Sequence, residues 1–227
     1  MQDFGSNGVI HAVDHILLPP PSALKIISLL PSEFSTLTLA LEKTGLLETF
    51  ENGPHVGGTF FAPSNAAFKW LGPRANAFLF SQRGLPFLKA LLKYHVSVNQ
   101  TLYSDAFYKA KDVDPESLNL QEEGYVDGQG FPKGHFRVDL PTLLRGKPVE
   151  VNIGRYGGLI NIRINGRTSV SVQDGLANDG VIQAVRSIIV PPRHKHHSGD
   201  DEEGGFTVED LIERLEPFVE RDIYEEL

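Results

Sequence analysis

Tyr94 and His95 stand side by side at the end of an apolar stretch, the one place where this 227-residue chain sets a phenol beside an imidazole. An imidazole titrates near neutrality and can hold or pass a proton. Buried Tyr and His side chains both need hydrogen-bond partners. The pair therefore reads in two ways: as a contact point for a partner or ligand, or as a hydrogen-bonded pair that fixes a helix-to-strand junction. Close by, Asn99-Gln-Thr101 is the only Asn-x-Ser/Thr sequence and so the only candidate N-glycosylation site. His194, His196 and His197, with Asp200 and Asp201 following, offer metal-binding side chains. Their Gly- and acid-rich surroundings are those of a solvated linker, in which nothing rigid holds ligands in place. No metal and no cofactor are assigned.

Catalytic patterns are thin. Cysteine is absent, which removes thiol nucleophiles, disulfides and zinc-thiolate sites. Neither a Gly-x-Ser-x-Gly elbow, a phosphate-cradling loop nor a His-Glu-x-x-His helix occurs. No catalytic residue is assigned, and the chain reads as non-enzymatic.

Composition narrows the partners. The formal charge of −8 is unevenly spread. Residues 198–227 hold twelve Asp or Glu against two Arg, whereas residues 1–197 hold nineteen Lys or Arg against seventeen acids. The body is nearly neutral and the tail is acidic. No basic cluster with interleaved aromatics appears, so a nucleic-acid partner has no support. No apolar run is long enough for a transmembrane helix. The N-terminus lacks the basic start and apolar core of a signal peptide.

The elements that would position Tyr94 and His95 follow from periodicity. Ser22 can cap a short helix carrying Leu24 and Ile27. Ser32 can cap a second with Phe34, Leu37 and Leu41 on one face and Gly45 as its stop. Leu46 to Phe50 continues as helix. Thr59-Phe-Phe is a short strand, after which Ser64 or Asn65 caps a helix burying Phe68, Trp70 and Leu71. Pro73 opens another turn. Leu85 to Leu92 has helical spacing and leads into Lys93–Val98, which alternates like a strand. Residues 99–135 read as a long solvated excursion with short strands. From Phe136 the period becomes two through Val149–Ile153, Leu159–Ile164 and Thr168–Val172, with Gly157-Gly158 and Asn165-Gly166 as turns. Gly180–Val190 closes this antiparallel meander. Helices followed by a meander predict an α+β fold.

The closing stretch has a near copy. Gly8-Val-Ile-His-Ala-Val-Asp-His-Ile-Leu-Leu-Pro-Pro20 matches Gly180-Val-Ile-Gln-Ala-Val-Arg-Ser-Ile-Ile-Val-Pro-Pro192 at eight of thirteen positions. The expected organisation is a remnant closing strand over 1–21, a complete domain over 22–192, a His- and acid-rich linker over 193–206, and an acidic amphipathic helical tail over 207–227. The remnant suggests an internal start or a truncated record of a tandem protein. Residues 7–18 are expected to be disordered, swapped into another molecule or laid on the complete domain. In the tail, Thr207-Val-Glu-Asp210 resembles a capping box, and Val208, Leu211, Ile212 and Leu215 share a face suited to docking back on the domain. Pro217 is expected to end or kink this helix.

Thr59-Phe-Phe-Ala-Pro-Ser-Asn-Ala-Ala-Phe68, Tyr94-His95 and Asn178-Asp-Gly-Val-Ile-Gln-Ala-Val-Arg-Ser-Ile-Ile-Val-Pro191 together resemble, in order, the two conserved boxes and the Tyr-His motif of the fasciclin (FAS1) domain family, most like its fungal members. The resemblance covers about residues 22–192. It departs at Gln183 and Arg186, where the family usually has His and Asp; the N-terminal copy keeps them as His11 and Asp14. The resemblance implies helices packed on a β-wedge, tandem arrangement, and a role in cell adhesion or cell-surface and matrix association, with a protein or matrix partner or self-association. It implies a secreted or surface location, with an intracellular or vacuolar one as the alternative. It makes Tyr94 and His95 the binding candidates and Asn99 a glycan acceptor. A second reading is a carrier or sensor of a small apolar ligand held between helices and wedge.

Overall fold

The computed structural model describes residues 2–5, 8–16, 18–53, 57–106, 134–156, 159–192 and 206–225. Six helices precede the meander: α1 (Ala23–Leu29), α2 (Pro31–Lys43), α3 (Leu46–Asn52), α4 (Asn65–Leu71), α5 (Pro73–Leu79) and α6 (Leu85–Tyr94). Strand β3 (Gly58–Pro63) runs between α3 and α4, and β4 (Val96–Val98) follows α6. The meander is β5 (Gly134–Leu140), β6 (Val149–Tyr156), β7 (Leu159–Ile164), β8 (Thr168–Ala177) and β9 (Gly180–Val185). The order in the seven-stranded sheet is β4-β3-β9-β8-β7-β6-β5. An α+β fold is what this is.

Local signals hold for most helices. The Ser22 hydroxyl accepts from the Lys25 amide, and the Ser64 hydroxyl accepts from the Ala67 amide. Gly45 adopts φ 69°, the left-handed turn that stops α2 and starts α3. Pro73 opens α5.

Three expectations are corrected. Ser32 does not cap α2; Pro31 occupies the first turn and Leu30 is the cap residue, because proline's fixed φ already suits a helix start. Within α2 the backbone breaks at Phe34 (φ −128°), and Asn65 mends the break from afar. Its Oδ1 accepts from the Thr36 amide at 2.9 Å, and its Nδ2 donates to the Pro31 and Ser32 carbonyls at 3.2 and 3.0 Å. Trp70 is not buried but 78% exposed, since α4 turns Ala67, Phe68 and Leu71 inward and leaves position 70 outside that face. Lys93 and Tyr94 are helical, and the strand begins only at Val96.

Strand β9 is more than the last member of a meander. It pairs antiparallel with β8 and also parallel with β3, with Thr59 opposite Val181 and Pro63 opposite Val185. Its residues 181–185 are buried. Gly180, at φ 152°, sits so close to β3 that a Cβ there would lie 2.4 Å from the Gly58 carbonyl oxygen.

The N-terminal copy of β9 contains a short strand of its own. Strand β2 (Gly8–His11) pairs with β1 (Gln2–Gly5) as a separate two-stranded antiparallel sheet, with Phe4 opposite Val9. This hairpin gives the strand a local backbone partner. Beyond it Val13, Ile16 and Leu18 remain exposed.

The tail helix α7 (Val208–Glu225) docks in cis against α5 and α6. The Thr207 hydroxyl and Asp210 carboxylate exchange hydrogen bonds with each other's amides, so the capping box is real. Leu211 and Leu215 are fully buried and Phe218 nearly so. Arg214 donates to the Pro191 carbonyl at 3.2 Å and lies over the Phe206 ring. Pro217 does not end the helix, which runs on to Glu225. Gly157-Gly158, most of the excursion (residues 107–133) and His194, His196 and His197 lie outside the described residues.

The docked tail should therefore be part of the cooperative unit. Leu215→Ala is expected to cost about 2–4 kcal/mol in urea unfolding, the range for a buried leucine. A loss under about 0.5 kcal/mol, typical of surface positions, would mean that the tail is an appendage.

Candidate functional site

Tyr94 and His95 are both fully buried, so neither presents a surface to a partner. Tyr94, in the last turn of α6, donates its hydroxyl to the Pro148 carbonyl at 3.2 Å and accepts from Asn165 Nδ2 at 3.0 Å. Asn165 is available because the Asn165-Gly166 hairpin puts both residues at positive φ, 50° and 70°. Burial raises the Tyr94 pKa, the Asn165 bond opposes this, and the nearby Glu150 charge adds to it.

His95 bridges two segments. Its Nε2 accepts from the Ile189 amide at 3.0 Å, and a backbone N–H can only donate. The ring proton is therefore on Nδ1, which lies 2.8 Å from the Leu91 carbonyl and donates to it. Both ring nitrogens are engaged and the neutral form is favoured. Burial pushes the pKa down to about 4, with the Leu91 bond opposing. This geometry ties the end of α6 to the segment after β9. It is a rivet, unsuited to proton transfer with solvent.

A second buried network joins β8, β9 and the chain after β4. Gln183 Nε2 donates to the Leu102 carbonyl and to Asp174 Oδ1, each at 2.8 Å, and its Oε1 accepts from the Asp174 amide at 3.2 Å. The Ser104 amide and hydroxyl both donate to the Asp174 carboxylate. Asp174 sits at φ 58° in an irregular stretch of β8. Gln183 was legible as a departure from the family's usual residue; nothing in the sequence marked Asp174 as its partner. Arg155 is likewise buried, donating to the Ser104 and Ala106 carbonyls at 2.7 and 2.6 Å while stacking on Phe136. Arg186 is exposed, so no buried charge replaces the family's usual Asp.

Beside these networks, between the helices and the sheet, lies a cavity of about 260 Å³. Leu24, Phe50, Phe60, Val96, Val98 and Val181 give it apolar walls, and Phe50 meets Phe60 edge-to-face at 6.3 Å. Asp179 borders it and accepts from the Ala23 amide at 2.8 Å. Asn99 stands exposed at the mouth with φ 61°. Thr101 of the same sequon accepts from the Gly58 amide at 3.2 Å. Sequence reasoning placed a cavity between helices and wedge but not its walls, which come from five separate elements. Among the described residues no group of three His, Asp or Glu could hold a metal ion, and no helix is long and apolar enough to cross a membrane.

Helices packed on a curled sheet around this buried Tyr-His pair define a fasciclin-type domain. The Fasciclin domain profile matches residues 32–191, and the chain belongs to that family. It is 32% identical over 242 aligned residues to Aurofusarin biosynthesis cluster protein S of Gibberella zeae (strain ATCC MYA-4620 / CBS 123657 / FGSC 9075 / NRRL 31084 / PH-1), covering 96% of this chain and 56% of the relative. The transforming growth factor-beta-induced protein ig-h3 of Oryctolagus cuniculus is 26% identical over 200 residues, covering 87% of this chain and 23% of that protein. Stabilin-2 of Rattus norvegicus is 31% identical over 103 residues, covering 40% of this chain and 7% of that protein. Among solved structures, the FAS1 domain pair of the insect cell adhesion molecule Fasciclin I matches with TM-score 0.55 at 18% identity, over 83% of this chain and 57% of that one. The chain thus spans little more than half the length of its fungal relative.

His95 should link stability to pH. Its folded pKa of about 4 lies below the ordinary histidine value of 6.5. The unfolded chain therefore takes up the proton first. The stability held by neutral His95 is complete above pH 6.5 and is lost as pH falls toward 4, by about 3 kcal/mol. His95→Gln, which cannot titrate, is expected to be less stable than the parent at pH 7 yet to lose about 3 kcal/mol less than the parent between those pH values. Parallel urea curves with equal losses would show that His95 does not carry the linkage.

Proposed function

We propose that the chain is a non-enzymatic fasciclin module that acts by binding, associating with a cell-surface or matrix partner or with a second copy of itself. The observation that supports it best is how the polar residues are spent. His95, Tyr94, Asp174, Gln183 and Arg155 all hold backbone or one another in place. Apolar side chains, by contrast, stand outside. Trp70 is 78% exposed on α4, and Tyr156 and Leu159 flank the β6–β7 connection at 85% and 78%. Exposed aromatics of this kind are the usual anchors of protein interfaces. Tyr94 and His95 serve binding indirectly, by holding β4 and the cavity wall.

The reading draws on the relatives as well, since the structural neighbour is described as a cell adhesion molecule. Secretion or surface location, a glycan on Asn99, and residues 1–21 as the closing strand of a preceding domain belong to the same proposal. The repeat between residues 8–20 and 180–192 supports the last point. The second reading, a carrier or sensor of a small apolar molecule, is favoured by the cavity. The fungal relative's name, which places it in a biosynthesis cluster, fits that reading too.

Surface attachment is tested by immobilising the folded chain and measuring cell attachment and self-association. Tyr156→Ala with Leu159→Ala, or Trp70→Ala, is expected to weaken binding about tenfold or more with the fold intact, as for interface anchors. Binding unchanged in all variants would refute the assigned surface. The native protein's intact mass, with and without glycosidase, should show a glycan removed from Asn99; an identical mass in both would remove the glycan from the proposal.

A further inference from the structure

We propose that the cavity is a binding site for a small neutral aromatic molecule, and that Asp179 makes it reject anionic ones. This rests on the second reading above and gives it a ligand class.

Size comes first. A dry apolar cavity of about 150 Å³ accepts benzene. The 260 Å³ here suits a molecule of about two rings. The walls supply apolar contact from both layers of the fold: Leu24 of α1 and Phe50 of α3 on one side, Phe60, Val96, Val98 and Val181 of the sheet on the other. The edge-to-face Phe50–Phe60 pair is an arrangement that a further ring extends.

The main chain disfavours a peptide as the occupant. Strand β4 lies at the edge of the sheet, where an extended peptide would add. Part of that edge is already used: the Val96 carbonyl accepts from the Leu143 amide at 2.9 Å. Recognition then falls to side chains.

Charge sets the selection. Asp179 is half-buried at the cavity wall and is fixed there by its bond to the Ala23 amide. A carboxylate or sulfonate brought beside it meets a like charge in a low-dielectric setting, where close charges interact more strongly than in water. A neutral ring system meets no such opposition.

The test uses two fluorescent dyes with the same two rings, 1-naphthylamine, which is neutral, and 5-amino-1-naphthalenesulfonate, which is anionic. Titrated into the full chain, the neutral dye is expected to bind saturably, and the sulfonate about tenfold more weakly. Asp179→Asn keeps an oxygen for the Ala23 amide and should close that gap. Thr49→Trp, at an exposed position bordering the cavity, should weaken the neutral dye about tenfold by covering the mouth. If neither dye binds, both the ligand reading and this inference fall. If both bind equally and Asp179→Asn changes nothing, the cavity remains a ligand site and the charge selection is refuted. If Thr49→Trp has no effect, the dye sits elsewhere and the site is refuted.

Discussion

The parallel pairing of β3 with β9 is the constraint on which the rest of this structure depends. Strand β3 belongs to the helical half of the chain and β9 closes the meander, about 120 residues later. Until they meet, the two halves have separate hydrophobic faces and no shared sheet. Their ladder from Thr59–Val181 to Pro63–Val185 places β9 inside the sheet, with neighbours on both sides. Such long-range parallel contacts repay their loop-closure entropy late. Local elements must therefore be well specified in advance, and here they are, by Ser22, Ser64, Gly45 and Pro73. The pairing also explains a glycine. Gly58 and Gly180 lie so close that a side chain at 180 would strike the Gly58 backbone. The invariant first residue of the internal repeat, Gly8 in one copy and Gly180 in the other, is thus a packing requirement of the second copy.

Around that ladder the buried polar side chains act as ties between segments that the sheet alone would leave free. His95 joins α6 to the chain after β9, Gln183 joins β9 to the chain after β4, and Asn165 joins the β7–β8 turn to Tyr94. Each uses both a donor and an acceptor, which is why burial is tolerable. In His95 this arrangement also fixes the tautomer. An imidazole that must accept at Nε2 and donate at Nδ1 cannot gain a proton without losing the Ile189 bond. Its lowered pKa and its structural role are the same fact seen twice.

Most of the fold was legible in the sequence because the signals were local. Caps, proline starts and period-two alternation depend on residues within a few positions of each other. What escaped was non-local. Asn65 repairs a break in α2 across about 30 residues, so Ser32 looked like the better cap. Trp70 looked like core because it is large and apolar, yet the face chosen by Phe68 and Leu71 excludes it. The parallel partner of β9 could not be read from β9 itself, whose uniformly apolar run suited any central strand. The site followed the same division. The adjacency of Tyr94 and His95 is visible in the sequence and is compatible with either role. Choosing between them required knowing that Pro148, Asn165, Leu91 and Ile189 surround them.

The cavity is where these constraints turn toward function. Its floor and walls are fixed for reasons unrelated to any ligand: β4 by the Tyr94–His95 ties, Val181 by the β3–β9 ladder, and Asp179 by its hold on the start of α1. A preformed apolar space then requires little ordering on binding, so more of the burial free energy reaches the ligand. The proposed adhesive surface draws on other residues, the exposed Trp70 of α4 and Tyr156 and Leu159 beside the β6–β7 connection, which none of these ties touches. The two proposed activities therefore draw on separate sets of residues in this fold.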